Sequence, residues 1–151
     1  MRYLALTLGL LYATVSPAAM VTFFANLDGL QEVPPNASPA TGFSTVLLDT
    51  DTNSITVNLE FQGLLGIQTA AHKAGPVRVP LPLGNFVGFA AVITDSVEAA
   101  MLAGNTYVNV HSNLFPGGEI RGQLQAIPEP SSFALAGLGF AAAMLLRRRI
   151  Q

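Results

Sequence analysis

Eight residues near the middle of the chain alternate strictly between polar and apolar. Ser54-Ile55-Thr56-Val57-Asn58-Leu59-Glu60-Phe61 places Ile55, Val57, Leu59 and Phe61 on one side. A period of two marks a strand with one wet face, whereas a helix would scatter these apolar groups around its circumference. The preceding run, Phe43–Asp49, reads as its hairpin partner across the polar turn Thr50-Asp51-Thr52-Asn53. Further strands are predicted at Val21–Leu27, Phe86–Ile93, Thr106–His111 and Glu119–Leu124. Gly and Pro fill the gaps at Asp28-Gly29, Pro34-Pro35, Gly75-Pro76 and Pro116-Gly117-Gly118. One helix is expected, because Asp95-Ser96-Val97-Glu98 has capping-box spacing, Ala99–Ala103 is good helix composition and Gly104 supplies a stop. The fold class predicted is all-β, an antiparallel β-sandwich with one short helix, over Met20–Ile127. Its 108 residues suit one sandwich.

The two ends have a different character. Of 151 residues, 50% are apolar and 11% charged, less than half the roughly 25% charge of an ordinary soluble domain. The apolar excess sits outside Met20–Ile127. Residues 1–19 begin with Arg2, run through Leu4–Leu11, and end in Ser16-Pro17-Ala18-Ala19. That order is expected of a secretory signal peptide cleaved after Ala18 or Ala19. At the other end Pro128-Glu129-Pro130 precedes an uncharged apolar run, Phe133–Leu146, closed by Arg147-Arg148-Arg149. As a helix, Ser131–Leu146 would be about 24 Å long at 1.5 Å per residue. A bilayer core is roughly 30 Å thick, so this transmembrane helix is short and its arginines must snorkel. Terminal arginines favour the cytoplasmic side. An exported N-terminus with the tail pointing inward then leaves the domain outside the cytoplasm, anchored at the inner membrane.

Residues 128–151 resemble a PEP-CTERM sorting signal: the Pro-Glu-Pro motif, an apolar helix and an Arg cluster, in that order. The resemblance implies that the chain is the substrate of an exosortase-type processing enzyme. The protein would then move to the cell surface or extracellular matrix.

Residues 20–127 carry three cations, Lys73, Arg78 and Arg121, against eight carboxylates, a net charge of −5. Such a domain is disinclined to bind nucleic acid or another polyanion. The absence of Cys excludes disulfides, thiolate zinc sites and thiol nucleophiles. No nucleophile elbow, P-loop, dinucleotide fingerprint or zinc-protease motif is present, so no catalytic residue is assigned and a non-enzyme is expected. Asp28, Glu32, Asp49 and Asp51 match no EF-hand spacing and read as turn and edge residues. Asn36-Ala37-Ser38 is a formal glycosylation sequon in a Pro-rich loop. In the strand ending at His111, Tyr107, Asn109 and His111 share the face opposite Val108 and Val110. Glu119, Arg121 and Gln123 likewise share the face opposite Ile120 and Leu124.

Four ordered blocks resemble the CHRD domain: Leu27–Pro35, Ala40-Thr41-Gly42, Thr69-Ala70-Ala71-His72, and Leu102–His111 continuing through Pro116–Leu124. The family pattern continues its first histidine into His-x-His-Gly-Pro. Here the run is His72-Lys73-Ala74-Gly75-Pro76, without the second imidazole, and Gly75–Gly88 is short for the family. The resemblance implies a β-sandwich with a fold-level likeness to Cu/Zn superoxide dismutase, and a role as an envelope-associated binding or structural module for a protein or polysaccharide partner. It also implies an alternative, a metal-binding or redox domain. His72 and His111 would converge on zinc or copper with Glu119 or Asp95 nearby. Against that stand the total of two histidines, fewer than a dismutase-type copper site uses, and the positive charge of Lys73 beside His72. The competing expectation, with no cofactor, is structural: a strand-end histidine bonded to a backbone carbonyl, Arg121 paired with Glu119 or capping loop carbonyls, and Tyr107 and Asn109 in the same network.

Overall fold

The computed structural model describes residues 20–74, 79–128 and 137–139. The signal reading on residues 1–19 and the sorting residues Glu129, Pro130, Arg147, Arg148 and Arg149 lie outside them. Nine strands form one antiparallel sheet: β1 (Met20–Asp28), β2 (Thr41–Asp49), β3 (Ser54–Gln62), β4 (Gln68–Ala74), β5 (Val79–Leu81), β6 (Phe86–Val92), β7 (Tyr107–Ser112), β8 (Ile120–Gln123) and β9 (Gln125–Ala126). Their order is β5-β4-β7-β8-β1-β2-β3-β6, with β9 also on β1. Helix α1 (Asp95–Leu102) links β6 to β7.

The alternation decides which face is buried. Ile55, Val57 and Leu59 of β3 are fully buried with Phe23, Ala25 and Leu27 of β1 and with Val46 and Leu48 of β2. From the other half of the sheet come Ala71, Val108, Val110 and Ile120, and α1 adds Val97 and Met101. Residues of both halves share one core, so the sheet folds over on itself as a nearly closed sandwich. At the seam between the halves β1 pairs with β8 at Asp28 and Arg121 and with β9 at Phe23–Ala126 and Phe24–Gln125.

The β2–β3 turn follows from two residues. The Asp49 carboxylate accepts from the N–H groups of Asp51 (2.9 Å) and Thr52 (3.1 Å). Asn53 adopts φ +50°, a left-handed conformation that asparagine tolerates. At the end of α1, Gly104 (φ +72°) donates to Met101 and Asn105 donates to Ala100, the paired bonds of a Schellman ending. The start of α1 departs from the capping-box expectation. Thr94 is the cap and makes no side-chain cap bond, while Asp95 is the first helical residue. The Asp95 carboxylate instead accepts from Asn53 Nδ2 at 2.8 Å.

Three strands escaped the sequence pattern: β4, β5 and the two-residue β9. In β4 the inward positions are Ala71 and Lys73, too small and too polar to show as an apolar alternation. β5 is three residues long and contains Pro80. Proline is tolerated there because β5 ends the strand order.

Replacing Leu59, fully buried, with alanine should cost about 2–5 kcal/mol through lost burial and a residual cavity. Val92→Ala, at a side chain 81% exposed, should change stability by less than about 0.5 kcal/mol. Urea unfolding of the two variants checks this, and equal losses would contradict the assigned core.

Candidate functional site

Strand register places a polar row across the outer face of one half of the sheet. His72 of β4 lies opposite Asn109 of β7, Asn109 opposite Arg121 of β8, and Arg121 opposite Asp28 of β1. His111 sits two residues beyond Asn109 and therefore on the same face. Lys73 points the other way. It pairs in register with Val108 and is fully buried. The expected charge of Lys73 beside the imidazoles is thus corrected: strand alternation carries its ammonium into the core. There Nζ makes no hydrogen bond, and burial lowers its pKa to about 8.

The two imidazoles meet. His72 Nε2 and His111 Nε2 are 2.6 Å apart, with ring centroids at 4.6 Å and planes tilted by 42°. His111 Nδ1 lies 2.9 Å from the Pro116 carbonyl. A carbonyl only accepts, so Nδ1 of His111 carries the proton and donates, leaving its Nε2 as an acceptor. His72 then donates from Nε2. Both rings are half-buried.

Glu119, the third member of the proposed metal trio, is elsewhere. Its carboxylate is fully buried. It accepts from the Ser38 hydroxyl (2.7 Å), the Leu65 N–H (2.6 Å), the Gly66 N–H (3.5 Å) and the Ser112 hydroxyl. Burial alone would raise its pKa, but these donors outweigh burial and hold it below the ordinary 4.5. Asp95, the other candidate, is engaged with Asn53. Among the described residues no three His, Asp or Glu side chains cluster to hold a metal.

Arg121 does not pair with Glu119. Its guanidinium lies over the Tyr107 ring, 3.5 Å from the centroid, an attraction between cation and ring face. It also acts on Glu32. A 3-10 turn at Gly29–Gln31, capped by Asp28, brings the Leu27–Pro35 block back over the sheet. Asn109 Nδ2 then lies 3.5 Å from Glu32 Oε2. Glu32 is buried rather than an exposed turn residue, and burial raises its pKa despite the opposing pull of Arg121, the Val33 N–H and Asn109. Glu32 Oε1 and Asn109 Oδ1 accept no hydrogen bond and press against Gly118, where an added Cβ would strike both. Asn36, the sequon residue, spends its amide on the carbonyls of Gly118 (3.3 Å) and Glu119 (3.1 Å).

Glu32, His72, Tyr107, Asn109, His111, Gly118, Glu119 and Arg121 lie in the four sequence blocks, whereas Asn36, Ser38, Leu65, Gly66 and Ser112 lie between them. A sequence model of the CHRD domain matches residues 23–124. The chain belongs to the CHRD domain family. A second match, to the PEP-CTERM protein-sorting motif, covers residues 126–149. No curated protein and no solved structure matches the chain.

Sequence reading missed Glu32, Gly118 and Ser38 as members of this network. Each acts across a long separation, 77 residues from Glu32 to Asn109 and 81 from Ser38 to Glu119, and no local pattern announces such contacts. Gly118 stood in a Gly-Gly pair that signalled only a turn.

Gly118 has φ +133°, so Gly118→Ala combines backbone strain with a collision against two buried oxygens. It should cost at least about 2 kcal/mol, read from chemical unfolding. Retention of wild-type stability would contradict the packing. Glu119 gives a pH test. Because its pKa is lowered on folding, its contribution is complete above the unfolded value of 4.5 and fades as pH falls through the lower folded value. Glu119→Gln should therefore destabilise strongly at pH 7, with the gap to wild type closing below about pH 4.5. Glu32 has the opposite sign, so the stability tied to its neutral form fades as pH rises above 4.5.

Proposed function

We propose that the chain is an exported, envelope-associated binding or structural module, sorted through its C-terminal signal and not itself an enzyme. The observation that carries this is the order of the two matches. A CHRD domain ending at 124 is followed directly by a PEP-CTERM motif starting at 126. Such a motif marks an exosortase-sorted chain, so the processing enzyme is the first partner. Anchoring at the inner membrane with the domain outside, and later transfer to the surface or matrix, follow from the signal-like N-terminus and the terminal arginines. The polar residues support a scaffold role: Glu119 joins three segments and His111 holds a loop carbonyl. The partner is then an envelope protein or polysaccharide that does not depend on anionic charge, since the domain is itself acidic.

A second reading, a metal-binding domain, is favoured by one observation, the convergence of His72 and His111 through their Nε2 atoms.

Removal of Ser131–Gln151 should shift the protein from the membrane fraction to the soluble exported fraction. Fractionation with antibody detection checks this, and unchanged membrane association would contradict the proposal.

A further inference from the structure

We propose that His72 and His111 are a cis pair of equatorial ligands for a single Cu(II) ion, an inference that rests on the metal-binding reading and adds the metal and its geometry. The separation of the two nitrogens bears on the coordination geometry. Two imidazole nitrogens about 2.0 Å from one metal lie about 2.8 Å apart at a right angle, about 3.3 Å apart in a tetrahedron and about 4 Å apart in a linear site. The observed separation is 2.6 Å. A tetragonal ion therefore needs an opening of a few tenths of an ångström, and a tetrahedral ion needs more than twice that.

Orientation points the same way. A metal-binding histidine usually donates its other ring N–H to a carbonyl or carboxylate, which fixes the tautomer and aims the lone pair. His111 has that arrangement, with Nδ1 on the Pro116 carbonyl. His72 would have to carry its proton on Nδ1, a buried atom, instead of Nε2 for both Nε2 lone pairs to face the ion. The pair lies on the outer face, half-buried, which leaves the other two in-plane positions to water or an exogenous oxygen ligand. Lys73, the cation next in sequence, is carried to the opposite face.

Donor number also separates the metals. A structural zinc site needs four protein ligands. Among the described residues no third His, Asp or Glu joins the pair. Two imidazoles with water suit Cu(II), which also heads the affinity order of the divalent first-row ions.

The test uses the full chain in detergent, stripped with chelator and titrated separately with Cu(II) and Zn(II). The expected result is one Cu(II) per chain, an axial electron paramagnetic resonance spectrum with splitting from two nitrogens, and a higher thermal midpoint. His72→Gln and His111→Gln should each weaken binding at least about tenfold while leaving the circular dichroism unchanged. The spectrum of the wild-type chain is decisive even if a variant folds poorly: one without two imidazole nitrogens overturns the proposal. The same spectrum in a doubly substituted chain would place copper elsewhere and also overturn it. Preferential Zn(II) binding that needs both histidines would defeat the copper geometry and leave the metal-binding reading standing. No binding of either ion would defeat both.

Discussion

A carboxylate cut off from water must be surrounded by donors or it will not stay charged, and Glu119 meets that condition with groups from three separate segments. Ser38 comes from the loop before β2, Leu65 and Gly66 from the loop before β4, and Ser112 from the end of β7. These segments lie at one end of the sheet, at the seam where β1 meets β8 and β9. Glu119, the Asn36 amide on the carbonyls of Gly118 and Glu119, and Glu32 over Asn109 tie the loops across it. Removing one partner from such a network exposes the others to the full cost of burial without a bond. The polar blocks that mark the family are, on this account, mainly the staples of the seam.

How much of this could be read from the sequence depended on the range of the interaction. The β2–β3 hairpin was legible because Ile55, Val57 and Leu59 repeat every second residue and Asp49 and Asn53 carry ordinary turn chemistry. The end of α1 was legible because Gly104 is a local signal. β4 was not legible, since an inward Lys73 breaks the apolar period that defines a half-buried strand. The site was half legible. His72 and His111 meet, as the metal-binding alternative required, because β4 and β7 are neighbours in register. Glu119, which with Asp95 was the carboxylate offered by that alternative, is not beside them, because its bonding is decided by backbone N–H groups more than fifty residues earlier in the chain. Which strand pairs with which decides these contacts, and a single sequence carries that information only through its global packing.

The same division bears on function. The sorting motif is a local signal and could be read residue by residue. The outer face of the domain carries the imidazole pair, which only the strand register brings together. The two roles are compatible: a polar network can hold the loops rigid while keeping the two imidazole nitrogens together. Rigid support of this kind is what a metal site requires of its surroundings.

On the proposed function, this chain leaves the cytoplasm and is processed as cargo. Intact-mass analysis of the protein recovered from the cell envelope and the medium tests it most directly. The account predicts a chain that starts at Ala19 or Met20 and ends close to Pro128-Glu129-Pro130. A full-length chain starting at Met1 and confined to the cytoplasm would contradict it.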